Sequence, residues 1–404
     1  MVTRRRRGVA LAGGGPLGAI WEIGVLVALD EVLLGLDLAD ADIYVGVSSG
    51  SFIAAGLANG MTPRAMHRMF IESEAADDPF EPDLLLRPAL KEYLQRFASL
   101  PQLLGTAAHR YLEAPWSAGF FESLGGLARA LPTGIFDNVG IGDYLAKLFS
   151  APGRTNDFRR LRHKLFLVAT DLDTGAAVPF GARGWNDVPI ARAVLASAAL
   201  PGLFPPVEID GRYYVDGALV KTLHASVALR AGAGLLLCIN PLVPFNADLA
   251  ARRTHKKPVS LVKGGLPVVL AQTFRAIIHS RMQVGMDRYR AEFPDADVLL
   301  FQPTHDDSDM FFTNVFSYSA RRRLSEHAYQ MTRADLRRRS KALGPILARH
   351  GIKLDQAVLA DQSRTLVRPV GTNGRRQATS LGRATHQLDR TLDDLRALLE
   401  VHST

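Results

Sequence analysis

Two glycine-rich turns near the start of the chain carry residues whose types and spacing point to chemistry. Gly13-Gly14-Gly15-Pro16-Leu17-Gly18 follows the apolar run from Gly8 to Ala12, and Gly46-Val47-Ser48-Ser49-Gly50 follows Ile43-Tyr44-Val45. Each pattern reads as a buried strand turning sharply into a helix. The first turn presents a bundle of backbone N–H groups and the second a hydroxyl. Side by side on a parallel sheet they supply an oxyanion hole and a serine nucleophile, the parts that acyl transfer or ester hydrolysis needs. In Gly46-x-Ser48-x-Gly50 the central serine occupies a nucleophile elbow, with a glycine on either side leaving room for the backbone and a substrate. Ser49 and Ser51 are neighbours, but only Ser48 is central. The helix that follows points the positive end of its dipole at the site, which favours negative charge there.

Two other readings of the same residues are weaker. Gly13-x-Gly15-x-x-Gly18 also matches the dinucleotide-binding fingerprint, which calls for an acidic residue at the end of the second strand to hold a ribose. Here that strand ends in the serine turn, and Asp40 and Asp42 precede it. An α/β-hydrolase triad would need a histidine and a nucleophile set deep in the sheet, whereas only two strands precede Ser48. His224, His255, His279, His305 and His327 fall in helical or loop-like stretches and read as surface or packing residues. The one cysteine, Cys238, lies in the apolar strand Leu235–Ile239 and reads as a packed thiol. No zinc-ligand spacing occurs, and no cofactor or metal is expected.

The elements that must position these groups alternate. Residues 8–60 read as strand, glycine turn, helix, strand, serine turn, helix, with the first helix from about Ala19 to Leu33 and buried. That alternation predicts an α/β fold with a mainly parallel sheet. Strands resume at Lys164–Thr170, Arg212–Val215, Gly234–Asn240 and Asp297–Phe301. Residues 61–150 hold helical stretches and an apolar segment, Pro115–Phe121 with Leu124, Leu127, Leu131, Ile135 and Phe136, which fits either helical packing or a cap over an acyl cleft. Residues 246–360 read as mainly helical, 361–382 as a linker, and Asp389–Val401 as a short terminal helix.

With 404 residues, 47% of them apolar, the chain can bury a large core. Its net charge of +8 gathers in runs at Arg4–Arg7, Arg252-Arg253 with Lys256-Lys257, Arg321–Arg323 and Arg337–Arg339. Such runs read as solvated faces that can also attract anionic surfaces. Glycines, a proline and the charges of Glu22 and Asp30 interrupt the N-terminal apolar stretch, so no signal peptide is expected. No stretch approaches the roughly 18 charge-free apolar residues of a membrane span. A soluble, cytoplasmic protein that touches membranes peripherally is expected, with no nucleic-acid partner and no indication of oligomeric state.

Beyond these patterns, the glycine motif Gly13–Gly18, the serine motif Gly46–Gly50 and Asp216-Gly217-Ala218 after Tyr213-Tyr214-Val215 together resemble the patatin-like phospholipase family. Ala169–Gly175 and Ala196–Pro206 are similar to the family's intervening segments. The resemblance spans about residues 8–220. It implies a three-layer α/β fold over residues 8–245, while the helical C-terminal segment over 246–360 and the linker and tail over 361–404, read from the sequence pattern, lie beyond its motifs and receive no role from it. It also implies a Ser-Asp dyad: Ser48 attacks the acyl carbonyl, Asp216 acts as base and then acid, and the N–H groups of Gly14 and Gly15, with Gly13 shaping the turn, hold the oxyanion. Gly18, Gly46, Gly50 and Gly217 support the motifs. The implied activity is hydrolysis of a lipid acyl ester, with esterase, thioesterase or transacylase action on other acyl substrates as the nearest alternative and non-catalytic lipid binding as another. One departure stands out. The family commonly carries Arg or Lys where this chain has Leu17, which removes an anion contact. A docking surface for anionic membrane is expected from the basic runs together with Trp116–Phe121.

Overall fold

Apolar side chains alternate between the two faces of a central sheet, and helices cover each face. The computed structural model describes residues 5–72, 88, 133–255, 257–313 and 318–367. Its strands are β1 (Arg6–Leu11), β2 (Leu33–Leu34), β3 (Ile43–Val47), β4 (Lys164–Asp171), β5 (Ala177–Phe180), β6 (Val207–Ile209), β7 (Arg212–Asp216), β8 (Ala233–Ile239), β9 (Asp297–Phe301) and β10 (Lys353–Leu354). Eight of them form one sheet in the order β6-β7-β4-β3-β1-β8-β9, with β5 also paired to β4, while β2 and β10 form a small antiparallel ribbon. The β4-β3-β1-β8-β9 stretch is parallel throughout, and β5, β6 and β7 pair antiparallel.

The main helices are α1 (Gly15–Val32), α2 (Ser49–Ala58), α3 (Val139–Phe149), α4 (Ile190–Ala198), α5 (Ala225–Arg230), α6 (Gly265–Glu292) and α7 (Tyr318–Ala348). Successive strand residues point to opposite faces. Val9, Leu11, Leu167 and Leu237 therefore pack with α1, α2, α4 and α7 on one side. Ala10, Val45, Leu236 and Cys238 pack with α5 and with Met282 and Tyr289 of α6 on the other. The result is three layers. α1 is apolar nearly all round because it is covered on both sides, by the sheet and by α7. It starts at Gly15, four residues earlier than the sequence pattern suggests, since Pro16 sits in the first turn, where a missing N–H leaves no intrahelical bond unmade. Glu22, which the sequence reading treats as a charge, is completely buried on α1, and burial drives its pKa well above the usual carboxylate range.

Residues 246–360 contribute to this same body. β9 extends the sheet beyond β8, and α7 covers α1, so the compact unit runs from Met1 to Leu366, with Val367–Thr404 as a second unit. The apolar segment Pro115–Phe121 with Leu124, Leu127 and Leu131, and the terminal helix expected over Asp389–Val401, lie outside the described residues. Among the described residues, no helix is long and apolar enough to cross a membrane.

Candidate active site

Sheet register brings the two dyad candidates together. One edge of β4 pairs with β3 as far as Val47 opposite Val168, and on that same edge β7 takes over, with Asp216 opposite Ala169. The opposite edge carries β5. The ends of β3 and β7 therefore meet at adjacent β4 residues. Ser48, one residue beyond β3, and Asp216, the last residue of β7, become neighbours although 168 positions apart in sequence.

Ser48 has φ 53° and ψ −126°, a conformation that L residues rarely adopt and that costs on the order of 1–3 kcal/mol. Contacts around the turn hold it there. Its N–H donates to Ser197 Oγ on α4 (2.9 Å), whose hydroxyl donates in turn to the Val168 carbonyl on β4 (2.6 Å). Its carbonyl accepts from Ser51 Oγ (2.5 Å) and from the Ser51 N–H (2.9 Å). The Ser51 hydroxyl is thus buried and occupied with a backbone contact. The Ser48 hydroxyl makes no cap bond, and the residue remains 8% exposed at the start of α2.

Asp216 is held from both backbone sides. Its N–H donates to the Ala199 carbonyl (2.9 Å), and its own carbonyl accepts from Thr170 Oγ1 (3.1 Å). The carboxylate accepts from the Ala218 N–H at 2.8 Å and interacts with the Ser48 hydroxyl. Burial raises its pKa from 3.8 to about 6, against the smaller lowering effects of Ser48 and the Ala218 amide. A carboxylate this poorly solvated is a far better proton acceptor than one in water.

The glycine turn passes directly over the hydroxyl. A Cβ at Gly13 would lie 2.8 Å from Ser48 Cβ and 3.4 Å from Ser48 Oγ, so no other residue lets the two turns approach this closely. Gly217 is similarly constrained: its Cβ would sit 2.1 Å from the Val168 carbonyl, at the junction where β7 succeeds β3. Gly14 and Gly18 pack against Pro241, Gly46 against Ser51 and Gly50, and Gly50 against the Ala12 carbonyl. None of the hydrogen bonds among the described residues uses the N–H of Gly13, Gly14 or Gly15. Leu17 packs against the apolar core and offers the site no cation.

The histidines lie apart from this pair. His224 Nε2–H donates to the Gly217 carbonyl (3.2 Å), the only role a carbonyl partner allows, and burial lowers its pKa to about 4, which keeps it neutral. His279 and His305 contact each other ring to edge, and His327 pairs with Asp307. Among the described residues, no histidine hydrogen-bonds Ser48 or Asp216. Burial pushes the Cys238 thiol up to about 12, which leaves it a packed thiol. No cluster of metal-ligating side chains occurs among the described residues. Sequence reasoning overlooked Ser197. It lies within the Ala196–Pro206 segment, and its role becomes visible only when α4 is placed beside the serine turn.

Residues 9–229 match the family model of the patatin-like phospholipases. An uncharacterized NTE family protein of Mycobacterium tuberculosis is 26% identical over 239 residues, covering 59% of this chain and 31% of that protein. The chain thus spans about a third of the length of the curated relatives it matches. Among solved structures, VipD from Legionella pneumophila aligns with a TM-score of 0.40 and 16% identity, over 81% of this chain and 66% of that one. Human GIVD cytosolic phospholipase A2, in complex with methyl gamma-linolenyl fluorophosphonate, aligns with a TM-score of 0.32 and 16% identity, over 84% and 59% of the two chains. With its family model matched over more than half its length, the chain belongs to the patatin-like phospholipase family.

Proposed function

We propose that the protein is a serine-dependent lipid acyl hydrolase that works through a Ser48–Asp216 dyad. The observation that carries this reading is a serine with a strained backbone at an elbow beside a buried carboxylate with a raised pKa. Ser48 Oγ attacks the acyl carbonyl as its proton passes to Asp216. The negative charge that develops on the carbonyl oxygen falls under the turn Gly13–Gly15, whose N–H groups are unspent, and at the N-terminus of α2. Protonated Asp216 then delivers the proton to the leaving alkoxide. In the second half, Asp216 takes a proton from water as the water attacks the acyl-Ser48 carbonyl, then returns that proton to Ser48 Oγ as the carboxylic acid leaves. Ser197 is a positioning residue, holding the elbow against β4.

Leu17 favours a second reading of the substrate. Without a cation at that position the dyad turn lacks one partner for a phosphodiester, so neutral acyl esters or thioesters are substrates on an equal footing with phospholipids. Initial rates across phospholipids, lysophospholipids, acylglycerols and acyl-CoA separate the two.

The dyad also fixes a pH dependence. Only ionised Asp216 accepts the Ser48 proton, so kcat/KM is expected to fall about tenfold per pH unit below an inflection near 6 and to level off above it. A profile of a soluble short-chain ester measures this. An inflection at or below pH 4 would show that Asp216 is not the base.

A further inference from the structure

We propose that the outer face of α6, with the turn that leads into it, is a docking surface for an anionic lipid bilayer. The proposal rests on the lipid-hydrolase reading and names the surface that presents the site to its substrate.

Helix α6 buries Arg275, His279, Met282 and Tyr289, spaced four, three and seven residues apart on one face. The opposite face should be polar, and it is not. Leu266, Leu270, Ile277 and Val284 line it at spacings of four and seven, and Val262 extends the stripe into the preceding turn. Val262 is 76% exposed, Leu266 69% and Val284 68%. Isolated exposed aliphatic residues need no explanation, but a continuous stripe on the solvent side of one helix marks an interaction surface.

Charge selects the partner. Between Leu249 and Met286 the sequence has seven Lys and Arg and no Asp or Glu, although Arg275 is buried and Arg253 pairs with Asp306. Lys257 and Lys263, both exposed, lie in the chain just before α6. Farther along, Lys221, Arg230, Arg281 and Arg288 outnumber one acid, Glu292, which pairs with Arg288, in the lining of a groove of about 440 Å³ between α6 and the segment after Asp216. An apolar strip flanked by cations matches the acyl boundary and headgroup layer of an anionic bilayer. A second copy of the chain fits less well, since a two-fold interface would set the same predominantly cationic face against itself.

Location ties the surface to the site. Gln272 on α6 hydrogen-bonds the N–H and carbonyl of Phe245 (3.1 and 2.7 Å), just past β8, so the N-terminal half of the helix lies toward the C-terminal end of the parallel strands, where β1 and β3 also finish. Phe274, Ile277 and Arg281 line a pocket with Ala218 and Leu219, immediately after Asp216, and Arg281 donates to the Leu219 carbonyl at 3.1 Å. Seating the stripe in a bilayer therefore brings the Asp216 turn to the lipid surface. The segment Trp116–Phe121, expected from sequence to serve this purpose, lies outside the described residues.

The test is co-sedimentation of the Ser48→Ala protein, which leaves lipid unconsumed, with phosphatidylcholine vesicles made with or without phosphatidylglycerol. Binding is expected to be at least about tenfold stronger to the anionic vesicles at low salt. Adding Leu266→Gln, Leu270→Gln and Val284→Gln, which keep helix propensity, should lower binding about tenfold or more at low and at high salt. Lys257→Glu with Lys263→Glu should lower it at low salt only. With Ser48 intact, the stripe variant should hydrolyse a soluble short-chain ester as fast as the parent, which also shows that it is folded. Equal binding of parent and stripe variant, or no preference for anionic vesicles, would overturn the proposal. So would loss of a dimer in analytical ultracentrifugation with vesicle binding unchanged, which would assign the stripe to a second copy. Absence of Ser48-dependent hydrolysis in the parent, with vesicle binding as expected, would overturn the hydrolase reading instead.

Discussion

Replacing Ser48 with alanine is expected to lower turnover by about 10³- to 10⁶-fold and leave the fold unchanged. The size of the loss follows from the absence of a substitute. Ser51, the nearest alternative by sequence, is fully buried and donates its hydroxyl to the Ser48 carbonyl. Ser49 is half-buried at the first position of α2, with its hydroxyl oxygen shielded from solvent. The fold should survive because the Ser48 side chain caps nothing, while the N–H and carbonyl that hold the elbow belong to the backbone and remain. Hydrolysis rate, fluorophosphonate labelling and far-UV circular dichroism together check this. Undiminished labelling of the variant would place the nucleophile at another residue.

Asp216→Asn should be nearly as damaging to activity and, at neutral pH, should make the protein more stable. An amide cannot take the Ser48 proton, but it can still accept from the Ala218 N–H and donate to the Ser48 hydroxyl. The stability change has a definite sign. The folded-state pKa of Asp216 is raised from 3.8 to about 6, so the unfolded chain releases its proton more readily than the folded one. Stability from this group is complete below pH 3.8 and lost as pH rises through about 6. At pH 8 the buried charge costs about 3 kcal/mol at most, and the asparagine variant avoids that cost. Urea unfolding of both proteins should therefore show the variant more stable at pH 8 and equal to the parent near pH 4. A variant less stable at pH 8 would mean that the carboxylate is stabilised by its surroundings, contrary to a raised pKa. The pH that ionises the base for catalysis is thus the pH at which the base strains the fold, an exchange expected where a site is built for reaction.

The strands and turns of the first 60 residues were legible because each signal is local. An apolar run ending in Gly13-Gly14-Gly15, and another ending in Gly46-x-Ser48-x-Gly50, need only the neighbouring residues to be read. Asp216 was legible only through the resemblance, since an Asp-Gly pair alone is an ordinary turn signal and its closeness to Ser48 comes from two strands sharing one edge of β4. β5 and β6 escaped notice because they are short edge strands of four and three residues, and one contains Pro179. Ser197 was hidden for a different reason: a serine on a helix carries no signal until that helix is set against the elbow. The stripe on α6 was overlooked because its aliphatic residues read in sequence as the buried side of a packed helix, whereas the buried side carries Arg275, His279, Met282 and Tyr289.

The most direct test of the account is peptide mapping by mass spectrometry after reaction of the native protein with a long-chain fluorophosphonate. One adduct is expected, on Ser48, forming at a rate that rises with pH through an inflection near 6. An adduct on a different residue, or labelling of Ser48 at a rate untouched between pH 4 and pH 8, would contradict the dyad.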